Sequence, residues 1–387
     1  MVVCGARRRA HVFLLVSFAM VLAACEAKLD LAKPREEEGR PLHRYDELMA
    51  AVSVARNSDA GRTSDIGAAA VVVGRGGAVV LVDDRGVPYR RLELPFAYPG
   101  ASLIDITQCP NGTLAALDFY RAVWTAADPT GPWHRHALPS DEDPAAITCD
   151  PRGRLWVTAS FTTIMDSADQ GRHWRVRSLE EDAILTYIRF FDAEEAVMLG
   201  EFGLVYHSAD GGESWQSADP IPGEFYPAAA YFPDSAHGWV GGLDGVIYAT
   251  GDGGRHWQRQ PTPSRSPIFR IFSSDLSISS KLPALFAVGD NGTLLGFQNG
   301  RWSVVTDGAL SHDYLRVGVV LPGDTVLVGG GRGVLRAVHP SFPSPRKESA
   351  DRSAKASARS DEKEDGRSDA ARGSDEARNE AASATER

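Results

Sequence analysis

Three stretches of this chain are near copies of one another: "DSADQGRHW" ending at Trp174, "YHSADGGESW" ending at Trp215 and "ATGDGGRHW" ending at Trp257. Their Ser167, Ser208 and Thr250 are spaced 41 and 42 residues apart, and a worn copy, "TAADPTGPW", sets Asp128 another 41 residues upstream of Asp169. A fixed period of this length restricts the chain to a repeat architecture, in which each unit buries its apolar faces against its neighbours.

A second periodic feature gives the number of units. A glycine-rich turn followed by an apolar strand occurs as "GRGGAVVLV" from Gly74, "GEFGLVYHS" from Gly200, "GLDGVIYAT" from Gly242, "GDNGTLLGF" from Gly289 and "GGRGVLRAV" from Gly330. Weaker versions, "DFYRAVWTA" and "SFTTIMDSA", fill the interval between the first two. That makes seven units about 42 residues apart. The unit starting at Ile268 divides into "IFRIFSS", "ALFAVGD", "GTLLGFQ" and "WSVVTDG", four short apolar runs broken by turn residues. Four strands per unit, repeated seven times, predict an all-β, seven-bladed β-propeller with four-stranded blades over residues 67–340.

The first unit, near Ala68, reads as lacking its innermost strand, and the last, ending near His339, its outermost one. A ring closes if one blade draws strands from both chain ends, which removes a free sheet edge. Residues 25–66 read as a linker with a short helix at "PLHRYDELMAAVSVA", Pro41 to Ala55, placed to cap that seam.

Both ends lie outside the ring. Arg7, Arg8 and Arg9 precede an apolar run from Val12 to Ala24, too short to span a bilayer and ending in "LAAC". This resembles a lipoprotein signal peptide, residues 1–24, with Cys25 as the lipid-modified first residue. Glu26 follows where an Asp would signal inner-membrane retention. The expectation is export and lipid anchoring on the periplasmic side, with the outer membrane favoured in a Gram-negative host. Residues 341–387 read as a disordered charged tail: from Arg346 onward there are 10 basic and 11 acidic residues, with no aromatic or branched aliphatic side chain to bury. The net charge of −10 argues against nucleic acid, which needs clustered Lys and Arg. Cys109 and Cys149 occupy similar contexts, "TQCPNG" and "ITCDPRG", and two readings stay open: a disulfide in an oxidising compartment, or two buried thiols.

The recurring box carries structural chemistry. Its Asp (Asp169, Asp210, Asp252) accepts backbone N–H groups, its Gly (Gly171, Gly212, Gly254) supplies positive φ, and its Trp (Trp174, Trp215, Trp257) packs between blades. Such boxes are familiar from sialidases. That family also needs an Arg-Ile-Pro motif and a Tyr–Glu–Asp set; the nearest string, "FRIF" at Phe269 to Phe272, follows all three boxes and lacks the Pro. No catalytic residue and no cofactor is assigned. The pattern "SAHGWVGGLDGVIYATGDGGRHW", Ser235 to Trp257, resembles the photosystem II stability/assembly factor family, and the resemblance covers roughly Gly67 to His339. It implies a non-enzymatic assembly factor acting on a membrane protein; in a non-photosynthetic host the partner would be a transporter or envelope complex. The runner-up is a sugar-binding or glycosidase propeller.

Candidate partner-binding residues follow from the pattern. "YIRFF", "IFRIF" and "YLRVG" align Arg189, Arg270 and Arg316 on inner strands, bordering the central channel. They read either as ion pairs stitching blades together or as a basic patch for an acidic partner segment. The glycine-rich turns add Arg75, Tyr120, Arg121, Phe161, Phe202 and Arg332 on the same side, a composition suited to a protein interface. His134 and His136 face one side of a strand without a third ligand, so no metal site is assigned. "NGT" at Asn111 and Asn291 reads as a hairpin turn.

Overall fold

The computed structural model describes residues 41–54, 68–94, 100–273, 285–305, 313–321 and 325–340. Residues 1–24, read as a signal peptide, Cys25 and the charged residues 341–387 lie outside them.

Seven antiparallel sheets follow one another along the chain, each an up-and-down meander whose strands pair in sequence order. Blades 1 to 7 begin with the inner strands Leu48–Ser53, Leu103–Gln108, Pro144–Cys149, Leu185–Phe190, Ala229–Tyr231, Ile268–Ser273 and Leu315–Leu321. Six blades have four strands, and blade 7 has three among the described residues. The propeller count and the all-β class agree with the period of the boxes.

Why the middle strands read as unbroken apolar runs is clear from their burial. Ala70–Gly74, Leu114–Asp118, Leu155–Ala159, Ala196–Gly200 and Leu285–Gly289 are buried at every position. A middle strand has a neighbouring blade against each face, so alternation disappears. Outer strands face solvent on one side: His134–Ala137 and Arg175–Ser178 are mostly exposed.

Two seam expectations are corrected. Leu48–Ser53, inside the segment read as helix, is a strand paired antiparallel with Ala70–Gly74 and serves as blade 1's inner strand. Leu, Met and Ala favour helix only weakly, and sheet pairing with burial of Leu48, Ala50 and Ala51 outweighs that preference. Nor does blade 1 borrow a strand from the chain's other end. Blades 1 and 7 meet through side chains: Leu48, Ala51, Val72 and Val80 pack with Val317, Val319, Leu321 and Leu327. The turn of blade 7 is also tied to the N-terminal segment by Gly333 N–H donating to the Asp46 carbonyl, 2.7 Å.

The boxes close the hairpin between the third and fourth strands of blades 3, 4 and 5. In blade 4 the Ser208 hydroxyl donates to Asp210 Oδ1 at 2.8 Å and accepts Gly212 N–H at 2.8 Å, while Asp210 Oδ1 also accepts Ser214 N–H at 2.9 Å. Ser167/Asp169/Gly171 and Thr250/Asp252/Gly254 repeat the arrangement. Gly212 holds φ at +83°, and a Cβ there would strike the Trp156 ring of blade 3 at 2.4 Å. Trp215 is half-buried and packs edge-on against Phe190, with ring centroids 6.3 Å apart. Cys109 and Cys149 form a disulfide between blades 2 and 3, with Cα atoms 5.2 Å apart.

Candidate functional site: an arginine-lined central cavity

The inner strands enclose a cavity of about 510 Å³, within the size range of ligand sites. Its walls are largely Ile, Val, Ala, Thr and aromatic side chains. The charged residues lining it are Asp105, Arg189, Arg270 and Arg316. Three guanidiniums face one carboxylate, so the cavity is electropositive in a chain that is acidic as a whole.

A shared irregularity decides which side chains reach this space. In blades 1, 2, 4, 6 and 7 the first inner-strand residue pairs with the last residue of the second strand, and the register then slips by one. Such a bulge re-aims the following residues. Counted from the leading apolar residue, Arg316 is second in its strand, Arg270 third and Arg189 fifth. The three arginines therefore share the cavity but not a level, which corrects their alignment on the preceding aromatic or aliphatic residue. Arg316 lies toward the glycine-rich turns and Arg189 toward the box side.

Asp105 and Tyr187 occupy the same third place as Arg270. Arg270 crosses the cavity to Asp105, Nη1 to Oδ1 at 3.5 Å. The same carboxylate accepts N–H groups from Ile106 at 2.9 Å and, in the next blade, Ile147 at 3.2 Å. Burial nonetheless raises the Asp105 pKa; Arg270 and these two N–H groups pull it the other way without cancelling the effect. Burial also raises Tyr187, whose ring stacks on Phe232.

The remaining guanidiniums differ from Arg270. Arg316 lies over the Phe269 ring, 4.4 Å from its centroid, a cation–π contact. Burial lowers its pKa from the ordinary Arg value. The Arg189 Nε is buried and has no hydrogen-bond partner. Among the described residues no carboxylate lies within ion-pair distance of either.

The turn arginines are engaged otherwise. Arg75 pairs with Glu47 at 2.8 Å, Arg121 with Asp143 at 3.2 Å, and Arg332 with Asp313. These are contacts between turns and neighbouring loops, the stitching role. His136 bonds Thr125 at 3.0 Å, and Asn111 closes its turn by accepting Thr113 N–H. No motif in the sequence marks Asp105, Tyr187 or Phe269. Aligning inner strands on their first buried residue would have put Asp105 opposite Arg270.

Residues 125–260 match the family model described as photosynthesis system II assembly factor YCF48. A curated relative, photosystem II assembly lipoprotein Ycf48 of Synechococcus sp. (strain CC9902), is 31% identical over 114 residues, which is 28% of this chain. The match spans only 34% of that lipoprotein's length. Among solved structures, YCF48 bound to D1 peptide superposes with a TM-score of 0.60 at 15% identity, covering 78% of this chain and 94% of that one. Virginiamycin B lyase from Staphylococcus aureus reaches a TM-score of 0.61 at 12% identity, covering 75% of this chain and 94% of the lyase. At such identities these likenesses speak to the fold alone.

Proposed function

We propose that this photosystem II assembly factor-like Asp-box propeller is a non-enzymatic scaffold, lipid-anchored through Cys25 on the periplasmic side of a membrane, that receives an acidic segment of a membrane protein in its central cavity. One observation carries the reading: Arg189 and Arg316 face that cavity without a carboxylate partner among the described residues. A guanidinium withdrawn from water and left unpaired costs free energy, which an incoming carboxylate would recover. Arg270 differs, since Asp105 already lies within ion-pair distance of it. Positive charges set at successive heights suit an extended peptide better than a single small anion. The relative named as a lipoprotein supports the anchor, and the neighbour solved with D1 peptide supports a peptide partner.

The test is direct binding of a fluorescent glutamate-rich peptide to the wild type and to an Arg189→Gln/Arg316→Gln variant. Affinity falls about tenfold or more in the variant, and the difference shrinks with salt. Equal affinity in the two proteins removes the cavity from the proposal. Binding to sugars but to no peptide removes the scaffold reading.

A further inference from the structure

Seven turns join the second and third strands of the blades on one face of the ring, and they act as controls for one another. The same left-handed residue is Gly76 in blade 1, Asn291 in blade 6 and Arg332 in blade 7, with φ of 70°, 53° and 54°. In blades 3 and 4 it is Phe161 and Phe202, at φ of 50° and 60°. A bulky side chain is disfavoured there, and the turns of blades 1 and 6 close without one. Neither ring is recruited to the core: Phe161 is 53% exposed and Phe202 57%. Blade 2 adds Phe119 and Tyr120 at its own turn, 46% and 41% exposed. Four exposed aromatics on three consecutive blades therefore stand on one face, Phe119 and Tyr120 edge-on to each other with ring centroids 5.7 Å apart.

Acidic loops run between these turns. Residues 138–143, 179–184 and 218–228 are the blade-to-blade connections, and backbone bonds knit them to the turns: Ser160 N–H to Asp143 O, Thr162 N–H to Ala183 O, and Ile221 N–H to Gly203 O. Together with turn residues 119–121, 160–162 and 201–203 they carry nine carboxylates against one guanidinium, Arg121, in a chain whose net charge is −10. Some are engaged locally: Glu142 accepts the Ser160 hydroxyl, Glu181 accepts the Tyr206 hydroxyl, Glu201 accepts Ile184 N–H, and Asp141 and Asp143 lie near Arg121. Arg135 rises to the Tyr120 carbonyl at the edge of this face. Glu180, Asp182, Asp219 and Glu224 are exposed.

We propose that this acidic, aromatic face of blades 2 to 4 docks a cationic peptide segment of a partner protein, one that carries apolar or aromatic side chains among its Lys and Arg. Aromatic faces accept cations and apolar groups alike, and the surrounding carboxylates exclude an acidic segment. The surface is separate from the cavity and opposite to it in sign, so a partner reaching both would present an acidic stretch beside a basic one.

The test uses the full chain and two labelled probe peptides, one of lysine, leucine and serine and one with glutamate in place of lysine. Both are titrated against the wild type, a Phe161→Asn/Phe202→Asn variant and a Glu180→Gln/Asp182→Asn variant. Asn291 holds the same turn in blade 6, so the Asn variant melts no lower than wild type. The lysine probe binds the wild type, weakens about tenfold in each variant, and is released as salt rises to about 0.5 M. Arg189→Gln/Arg316→Gln leaves it unaffected, which separates this surface from the cavity. Lysine-probe binding that is absent from the wild type, or equal in wild type and Asn variant, overturns the proposal. So does tighter binding of the glutamate probe to this face, or dimerisation that the Asn variant abolishes.

Discussion

Arg270 of blade 6 reaches across the ring to Asp105 of blade 2, whose carboxylate also accepts the Ile147 N–H of blade 3. One side chain thus couples three blades through the cavity. Because burial raises the Asp105 pKa, the folded state favours its protonated form more than the unfolded chain does. For this group stability is greatest below the unfolded pKa and declines as pH rises through the folded one. Arg270→Gln removes the positive charge that moderates this decline. The variant loses about 1–3 kcal/mol at pH 7, and the loss shrinks as pH falls toward 4. Urea denaturation at the two pH values measures it; a loss equal at both means that the pair contributes by packing alone.

The box carboxylates respond to pH in the opposite direction. Hydrogen bonds from Ser214 bring Asp210 down to about 2, and bonds from His256 do the same for Asp252. A depressed carboxylate stabilises the fold above its unfolded pKa, and that stability disappears as pH falls through the folded value. Melting temperature therefore falls between pH 4 and pH 2, modestly because these carboxylates are exposed to solvent. Asp210→Asn lowers it at pH 7, has little effect at pH 2, and flattens the slope between them. Parallel slopes for the two proteins would show that acid unfolding begins elsewhere.

How far the sequence revealed this molecule depends on what repeated. Box serines and threonine 41 and 42 residues apart announce the blades because every blade solves the same burial problem. The segment Leu48–Ser53 escaped detection because "LMAAVS" combines helix-favouring residues with a burial pattern that only pairing to Val71, Val72 and Val73 explains. The sequence pattern aligns Arg189, Arg270 and Arg316 on the channel but at a common level, since period-two alternation leaves the offset along a strand open and the bulge lies ahead of it. Asp105 went unnoticed because one carboxylate in "LIDITQ" carries no signature; its role comes from an arginine four blades away in sequence. The acidic face emerges only when loops 40 residues apart are seen side by side.

The disulfide gives the last prediction. Cys109 and Cys149 sit at corresponding ends of adjacent blades, and the bond closes a loop with a sequence separation of 40. Cross-linking a loop of that length removes unfolded-state entropy worth ~4 kcal/mol in the chain-entropy model. Reduction should accordingly lower the melting temperature by several degrees, and Cys109→Ser/Cys149→Ser should reproduce the loss. Dithiothreitol then has no further effect on that variant, because the remaining cysteines, Cys4 and Cys25, belong to the N-terminal segment. Peptide mapping of the non-reduced protein should recover the two cysteines in one linked fragment. A wild type whose melting is indifferent to reductant, with both thiols alkylated in denaturant before any reduction, would place this pair among buried free cysteines. Ring closure between blades 2 and 3 would then rest on packing alone, through Leu117, Val123, Ile147 and Val157.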